Sequence, residues 1–205
     1  MVGIIDYGMG NLMSVQHALN FLGAEVKVCE NPGSLSDIDR IVLPGVGAFG
    51  DCIKNLRQMG FVEPLGDMVM RDGVPILGIC LGMQVMARRS FEGGEHEGLG
   101  WIDGDVIRIR PEDTSLRVPH IGWNEVHYDS ESPLFARLPD ICDFYFVHSY
   151  FVHCNDPGDV EATCYYGGTI TAAIRKKNVF ATQFHPEKSQ DYGLRILENF
   201  LKWEP

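Results

Sequence analysis

Over residues 1 to 90, short apolar runs alternate with stretches whose apolar residues recur every third or fourth position. Val2 to Asp6 is the first such run; beyond Tyr7-Gly8-Met9-Gly10-Asn11, the residues Leu12, Val15, Leu19 and Leu22 share one helical face. This spacing predicts strand, glycine loop and helix, with Asn11 as N-cap and Gly23 as the C-terminal stop. Glu25 to Cys29 and Arg40 to Leu43 read as the next strands, the second running into Pro44-Gly45-Val46-Gly47-Ala48-Phe49-Gly50. Helical segments follow through Arg57 and from Val62 to Arg71, closed by Gly73, and Pro75 to Ile79 is the strand that leads to Cys80. Strands alternating with helices predict a doubly wound, mainly parallel α/β sheet, which binds ligands beyond the C-terminal ends of its strands.

From about Asp103 to Gln183 the pattern changes. Short alternating or aromatic runs at 104–110, 124–128, 144–153, 160–165, 170–176 and 179–183 predict an additional antiparallel portion in the C-terminal half. The chain ends in a predicted helix with Leu194, Leu197, Phe200 and Leu201 on one face. No Pro/Ser-rich linker, repeat or low-complexity segment intervenes, so residues 1–205 read as a single domain.

Composition narrows the function more than the fold. With 28 acidic against 17 basic residues the formal charge is −11, which argues against a general role on nucleic acid or anionic membranes. No apolar run is long enough to span a bilayer, and Met1 to Asp6 lacks the basic region and cleavage site of a signal peptide, so a cytoplasmic location is expected. The cysteines at 29, 52, 80, 142, 154 and 164 form no C-x-x-C pair, which predicts reduced, mostly buried thiols. A zinc set can be drawn from His148, His153 and Cys154, but in one extended segment the two histidines face opposite sides, and no metal site is expected. The first loop also fails as a dinucleotide fingerprint, because the third glycine position of G-x-G-x-x-G is Met13.

Two stretches carry the candidate chemistry. In Pro75 to Met83 a strand ends at Cys80, flanked by Gly78 and Gly82, and an amphipathic run from Met83 to Met86 follows. This is the spacing of a nucleophile elbow with sulfur in place of oxygen, and amides of Leu81 and Gly82 at the helix start can hold an oxyanion. The same pentapeptide also suits a buried cysteine beside two turn glycines. In Val179 to Glu187 a strand end carries an imidazole and a carboxylate two positions apart, and Pro186 keeps His185 out of helical geometry. With extended backbone both side chains project to one side, so Glu187 can orient His185 while its other nitrogen faces Cys80. A solvated histidine and a surface glutamate explain the tripeptide alone; beside the cysteine elbow, base and orienter fit better. The glycine loop after Leu43 either presents an N–H to a ligand or makes a tight crossover turn.

Gly78-Ile79-Cys80-Leu81-Gly82-Met83-Gln84 together with His185-Pro186-Glu187 resembles the class I (triad) glutamine amidotransferase family. Asp6 to Asn11, Pro44 to Gly47, Pro119 to Asn124, Tyr145 to Tyr150 and Phe184 to Ser189 extend the resemblance from end to end. It implies a flavodoxin-like α/β fold and a glutaminase that needs neither cofactor nor metal. Cys80, His185 and Glu187 would be nucleophile, base and orienting acid. Gly47, after a peptide rearrangement, and Leu81 would supply the oxyanion N–H groups, and Gln84, His148, Ser149 and Tyr150 would hold glutamine. Asn11, Trp123, Tyr145 and Lys188 would lie toward a cyclase partner, a (β/α)8 barrel that forms a heterodimer with the chain and receives its ammonia. Read from the residues alone, His148 and Tyr150 equally suit the core, and Trp123 and Lys188 suit any interface rim. Two rivals remain open: the same module feeding another acceptor such as a sugar, and a catalytically silent regulatory subunit.

Overall fold

The computed structural model describes every residue except Ser130. Its strands are β1 (Val2–Ile5), β2 (Val26–Cys29), β3 (Arg40–Gly45), β4 (Ile76–Cys80), β5 (Ala87–Ser90), β6 (His96–Glu97), β7 (Ile102–Arg108), β8 (His120–Tyr128), β9 (Cys142–His148), β10 (Tyr150–Cys154), β11 (Val160–Tyr165), β12 (Thr169–Lys176) and β13 (Val179–Thr182). The helices are α1 (Leu12–Phe21), α2 (Phe49–Gln58), α3 (Val62–Gly66), α4 (Leu81–Val85) and α5 (Gln190–Lys202).

Among the described residues the strands form two sheets, ordered β2-β1-β3-β4-β13-β12-β11-β8-β9 and β10-β7-β5-β6. From β2 to β13 all neighbours are parallel, the doubly wound part read from the sequence, and β12, β11, β8 and β9 continue the same sheet antiparallel. Strand periodicity sorts the core onto its two faces: Ile4 and Val42 pack with Leu19, Phe144 and Leu197, while Ile5 and Leu43 pack with Leu56, Leu65 and Val106. In α5 the buried side chains include Ile196, Leu197 and Phe200, each contributing roughly 1.5–3 kcal/mol by leaving water.

Local signals explain most boundaries. Gly23, at φ +80°, ends α1 with its N–H on the Asn20 carbonyl and the Ala24 N–H on Leu19, a double bond pattern that satisfies two terminal carbonyls. Asn11 occupies the N-cap position, but its side chain makes no capping hydrogen bond. The helix expected over Val62 to Arg71 is α3 followed by a wider π turn at Asp67–Arg71.

Two expectations need larger corrections. The run 144–153 is not one strand: it breaks at Ser149, whose carbonyl accepts the Ile109 N–H, so β9 pairs with β8 in the larger sheet and β10 with β7 in the smaller. His148 is consequently buried in one sheet and His153 exposed on the other. The segment after Cys80 is not amphipathic either. All five residues of α4 are buried, because α2, β3, β5, β10 and β13 surround them.

Candidate active site

Parallel register sets three strand ends side by side. Gly45 of β3 pairs with Cys80 of β4, and Thr182 of β13 pairs with Ile79, so the Pro44–Gly47 loop and the segment from Gln183 to His185 flank the cysteine. Cys80 has φ 55° and ψ −108°, a conformation that costs a non-glycine residue about 1–3 kcal/mol and projects its side chain off the strand end. Its neighbouring glycines answer to the backbone around them rather than to the cysteine side chain. A Cβ on Gly82 would lie 1.8 Å from the Leu43 carbonyl oxygen, and one on Gly78 would lie 2.9 Å from the Gly82 oxygen. Close packing of α4 against β3 and back over β4 therefore requires both.

His185 is extended at φ −99° and ψ 96°, but Pro186–Lys188 is a 3-10 turn, so Glu187 reaches the imidazole through a turn and not along a strand. Nδ1 lies 2.8 Å from Glu187 Oε1, and both side chains are buried. Since the carboxylate accepts, Nδ1 carries the proton and Nε2 is left as the exchangeable nitrogen, with no hydrogen-bond partner of ordinary length among the described residues. Burial pulls the imidazole pKa down, yet the Cys80 sulfur and the Glu187 carboxylate outweigh it and raise it to about 9. The His185 N–H donates to the Tyr145 carbonyl, and Ser189 Oγ donates to the His185 carbonyl at 2.6 Å, which fixes the backbone that carries the ring.

Cys80 and His185 open onto a cavity of about 330 Å3, whose walls also include Gly47, Leu81, Gln84, His148, Ser149 and Tyr150. Glu187 stands behind His185. The His148 ring has both nitrogens engaged, one by the Tyr150 carbonyl and the other by His120, so the ring offers no free polar atom to a ligand. Gln84 Nε2 donates to the Tyr150 carbonyl at 2.8 Å and to Gln183 Oε1 at 3.0 Å, leaving its own Oε1 for other partners. Gly47 has φ +103° beside the exposed Val46, while Tyr7 Oη donates to the Pro44 carbonyl at 2.8 Å and pins the base of that loop.

Of the remaining expected residues, three cluster outside the cavity next to His185. Trp123 and Tyr145 are cross-strand partners with ring centroids 6.2 Å apart, Lys188 Nζ lies 5.9 Å from the Tyr145 ring centroid, and that ring is 6.4 Å from His185. Asn11 is not among these contacts, although α1 packs against the Pro186–Lys188 turn.

Sequence reasoning missed three buried or cavity-lining groups. Gln183 Nε2 lies 3.7 Å from the Cys80 sulfur, and Glu92 brings a carboxylate to the cavity while its Oε2 accepts the Phe49 N–H at the start of α2. His120 lies behind His148. Gln183 and His120 lie within stretches singled out in the sequence, 179–187 and 119–124, but nothing local marks the contacts they make.

The fold and this arrangement define a class: the chain belongs to the class I glutamine amidotransferases, and the family model "Glutamine amidotransferase class-I" matches residues 3–203. More particularly, it is 47% identical over 202 residues to "Imidazole glycerol phosphate synthase subunit HisH 1" of Campylobacter jejuni (strain RM1221), covering 98% of this chain and 100% of that protein. It is 49% identical over 203 residues to the "Imidazole glycerol phosphate synthase subunit HisH" of Geobacter sulfurreducens, with 97% of each covered. Among solved structures, one described as "Crystal structure of glutamine amidotransferase" superposes with a TM-score of 0.76 at 21% identity, over 98% of this chain and 97% of that one, a likeness of fold.

Proposed function

We propose that this chain is the glutaminase subunit of an imidazole glycerol phosphate synthase. The observation that carries the reading is the meeting of Cys80, on its strained turn, with the buried His185–Glu187 pair at one cavity. Near-full-length similarity to two synthase subunits supports the pathway.

In the first step the Cys80 sulfur attacks the side-chain carbonyl carbon of glutamine, and His185 Nε2 holds the thiol proton. The C–N bond then breaks, His185 gives that proton to the departing nitrogen, and ammonia and a thioester result. Water, deprotonated by the same nitrogen, attacks the thioester; the C–S bond breaks and glutamate leaves. Glu187 orients the ring and favours its charged form. The N–H groups of Leu81 and Gly47 are suited to the two oxyanions, and Gln84, His148, Ser149 and Tyr150 form the wall that holds glutamine. The Glu92 carboxylate matches the substrate's ammonium group.

Ammonia protonated in bulk water is no longer a nucleophile, so the chemistry calls for a partner that seals the site. That partner is a (β/α)8-barrel cyclase, bound as a heterodimer against the side bearing Asn11, Trp123, Tyr145 and Lys188. It uses the ammonia to make imidazole glycerol phosphate and AICAR for histidine biosynthesis. No helix among the described residues is long and apolar enough to cross a membrane. In this reading residues 1–205 act as a single amidotransferase domain docked on its cyclase, in the cytoplasm.

The test is the Cys80→Ser variant assayed in complex with the cyclase. Glutamine-dependent product formation is expected to fall to background while ammonia-dependent formation at alkaline pH continues. Glutamate release at the wild-type rate would rule out Cys80 as nucleophile.

A further inference from the structure

The mechanism leaves one buried imidazole without a task. His120, at the start of β8, faces His148 across the ladder to β9. Its ring stacks between Phe146, at 4.8 Å and 21°, and Tyr166, at 4.0 Å and 25°, so the plane in which its nitrogens point is fixed. Nδ1 lies 3.0 Å from His148 Nε2, and Nε2 lies 3.2 Å from Asn124 Nδ2. Asn124 Nδ2 also donates to the Tyr165 carbonyl at 3.0 Å, and His148 Nδ1 lies 2.8 Å from the Tyr150 carbonyl.

These contacts admit one proton assignment with both rings neutral. A carbonyl only accepts and an amide nitrogen only donates. His148 therefore carries its proton on Nδ1 and presents a lone pair at Nε2, His120 donates from Nδ1 into that lone pair, and Asn124 fills His120 Nε2. Burial keeps the rings uncharged, pulling His120 down to about 4; in His148 burial dominates, with the neighbouring His120 and His185 adding to it, and the value falls to about 3. The relay ends on the Tyr150 carbonyl, which also accepts from Gln84 at 2.8 Å. Gln84 leads in turn to Gln183 and so to the Cys80 sulfur. Ser149 and Tyr150, where the chain crosses between sheets, form one wall of the cavity.

We infer that His120 is a positioning residue for the glutamine site, holding His148 in the Nδ1–H tautomer that fixes the Tyr150 carbonyl and the Ser149–Tyr150 wall. It touches no substrate, and the inference rests on the glutaminase reading above. Loss of the donor leaves His148 Nε2 buried and unsatisfied, which favours ring rotation or the other tautomer and releases the carbonyl.

Two measurements test it. Long-range 1H–15N spectra of the full-length chain should show His120 and His148 both as neutral Nδ1–H tautomers, the minority form of free histidine. In the complex, His120→Phe keeps an aromatic ring in the stack but removes the donor. Its KM for glutamine should rise about tenfold, the worth of one hydrogen bond, with kcat much less affected. His120→Asn, whose amide nitrogen stands near the place of Nδ1, should recover most of that loss, and ammonia-dependent turnover should be unchanged in both. An Nε2–H tautomer at His148 in the wild type, an unaltered KM in His120→Phe, or equal damage from Phe and Asn would overturn the inference. Absence of glutamine turnover in the wild-type complex, with the tautomers as stated, would instead remove the glutaminase reading and leave the lock standing.

Discussion

His185 sits between a sulfur and a carboxylate, and its protonated form is stabilised by folding. Its pKa of about 9 stands above the ordinary histidine value, despite the opposing effect of burial. The resulting stability is present in full below the unfolded value of about 6.5 and is lost as the pH rises through the folded one, a difference on the order of 3 kcal/mol. Chemical denaturation of the wild type between about pH 6 and about pH 10 should therefore show a loss that His185→Gln does not share. Parallel curves for the two proteins would refute the coupling. The grouping of Cys80, His185 and Glu187 at one site was legible in the sequence because each stretch is marked within a few residues, by glycines at ±2 and by a proline between His185 and Glu187. Gln183, Glu92 and His120 were not, since each gains its meaning from a contact across strands or loops far apart in the chain.

At the scale of elements, α4 sits where it does because Gly45 of β3, Gly78 of β4 and its own Gly82 put no Cβ in the way of the backbones that meet there. A methyl group on Gly82 would collide with the Leu43 backbone, which cannot swing aside as a side chain would. Gly82→Ala should consequently destabilise the fold by roughly 1–3 kcal/mol or more and displace the Leu81 amide from Cys80. Gly66→Ala is the control: the end of α3 has nothing within 4 Å of the added Cβ, and the change should be neutral or stabilising by up to about 1 kcal/mol. Denaturant titrations of both variants check the contrast, and equal effects would show that close approach is not the cause. The same crowding explains what sequence periodicity could not show. The enclosed α4 has no polar face to mark its period, only Met86 separates it from β5, and the sheet change at Ser149 lies inside an aromatic-rich run with no glycine or proline to mark it. The parallel half was readable because a glycine or proline ends β3 and follows β1, β2 and β4 within three residues, and because α2 and α5 each bury one face and expose the other.

For the whole molecule, the unfinished feature is the rim beside the cavity. β8 turns His120 and Val126 inward but exposes Ile121 and Trp123, the latter 49% accessible, next to Tyr145 and Lys188. Such a surface fits a partner seated over the mouth of the site, within reach of the strand that holds the His120–His148 pair. On the opposite wall, Tyr7 fixes the Pro44 carbonyl while Val46 stays exposed and Gly47 adopts a positive φ, so the peptide between those two can take either of two orientations at modest cost. Under the proposed glutaminase reading, only one of them would aim the Gly47 N–H at the oxyanion. A gap of a few kcal/mol would make the competent form rare in the free chain, and a partner that prefers it would raise turnover by orders of magnitude. We therefore expect the isolated chain to be a poor glutaminase, the complex to be faster, and the complex with acceptor ligand bound to be fastest. Glutamate release measured in those three states under saturating glutamine decides the matter: equal turnover in all of them would mean that the loop is already competent and that the partner only collects the ammonia.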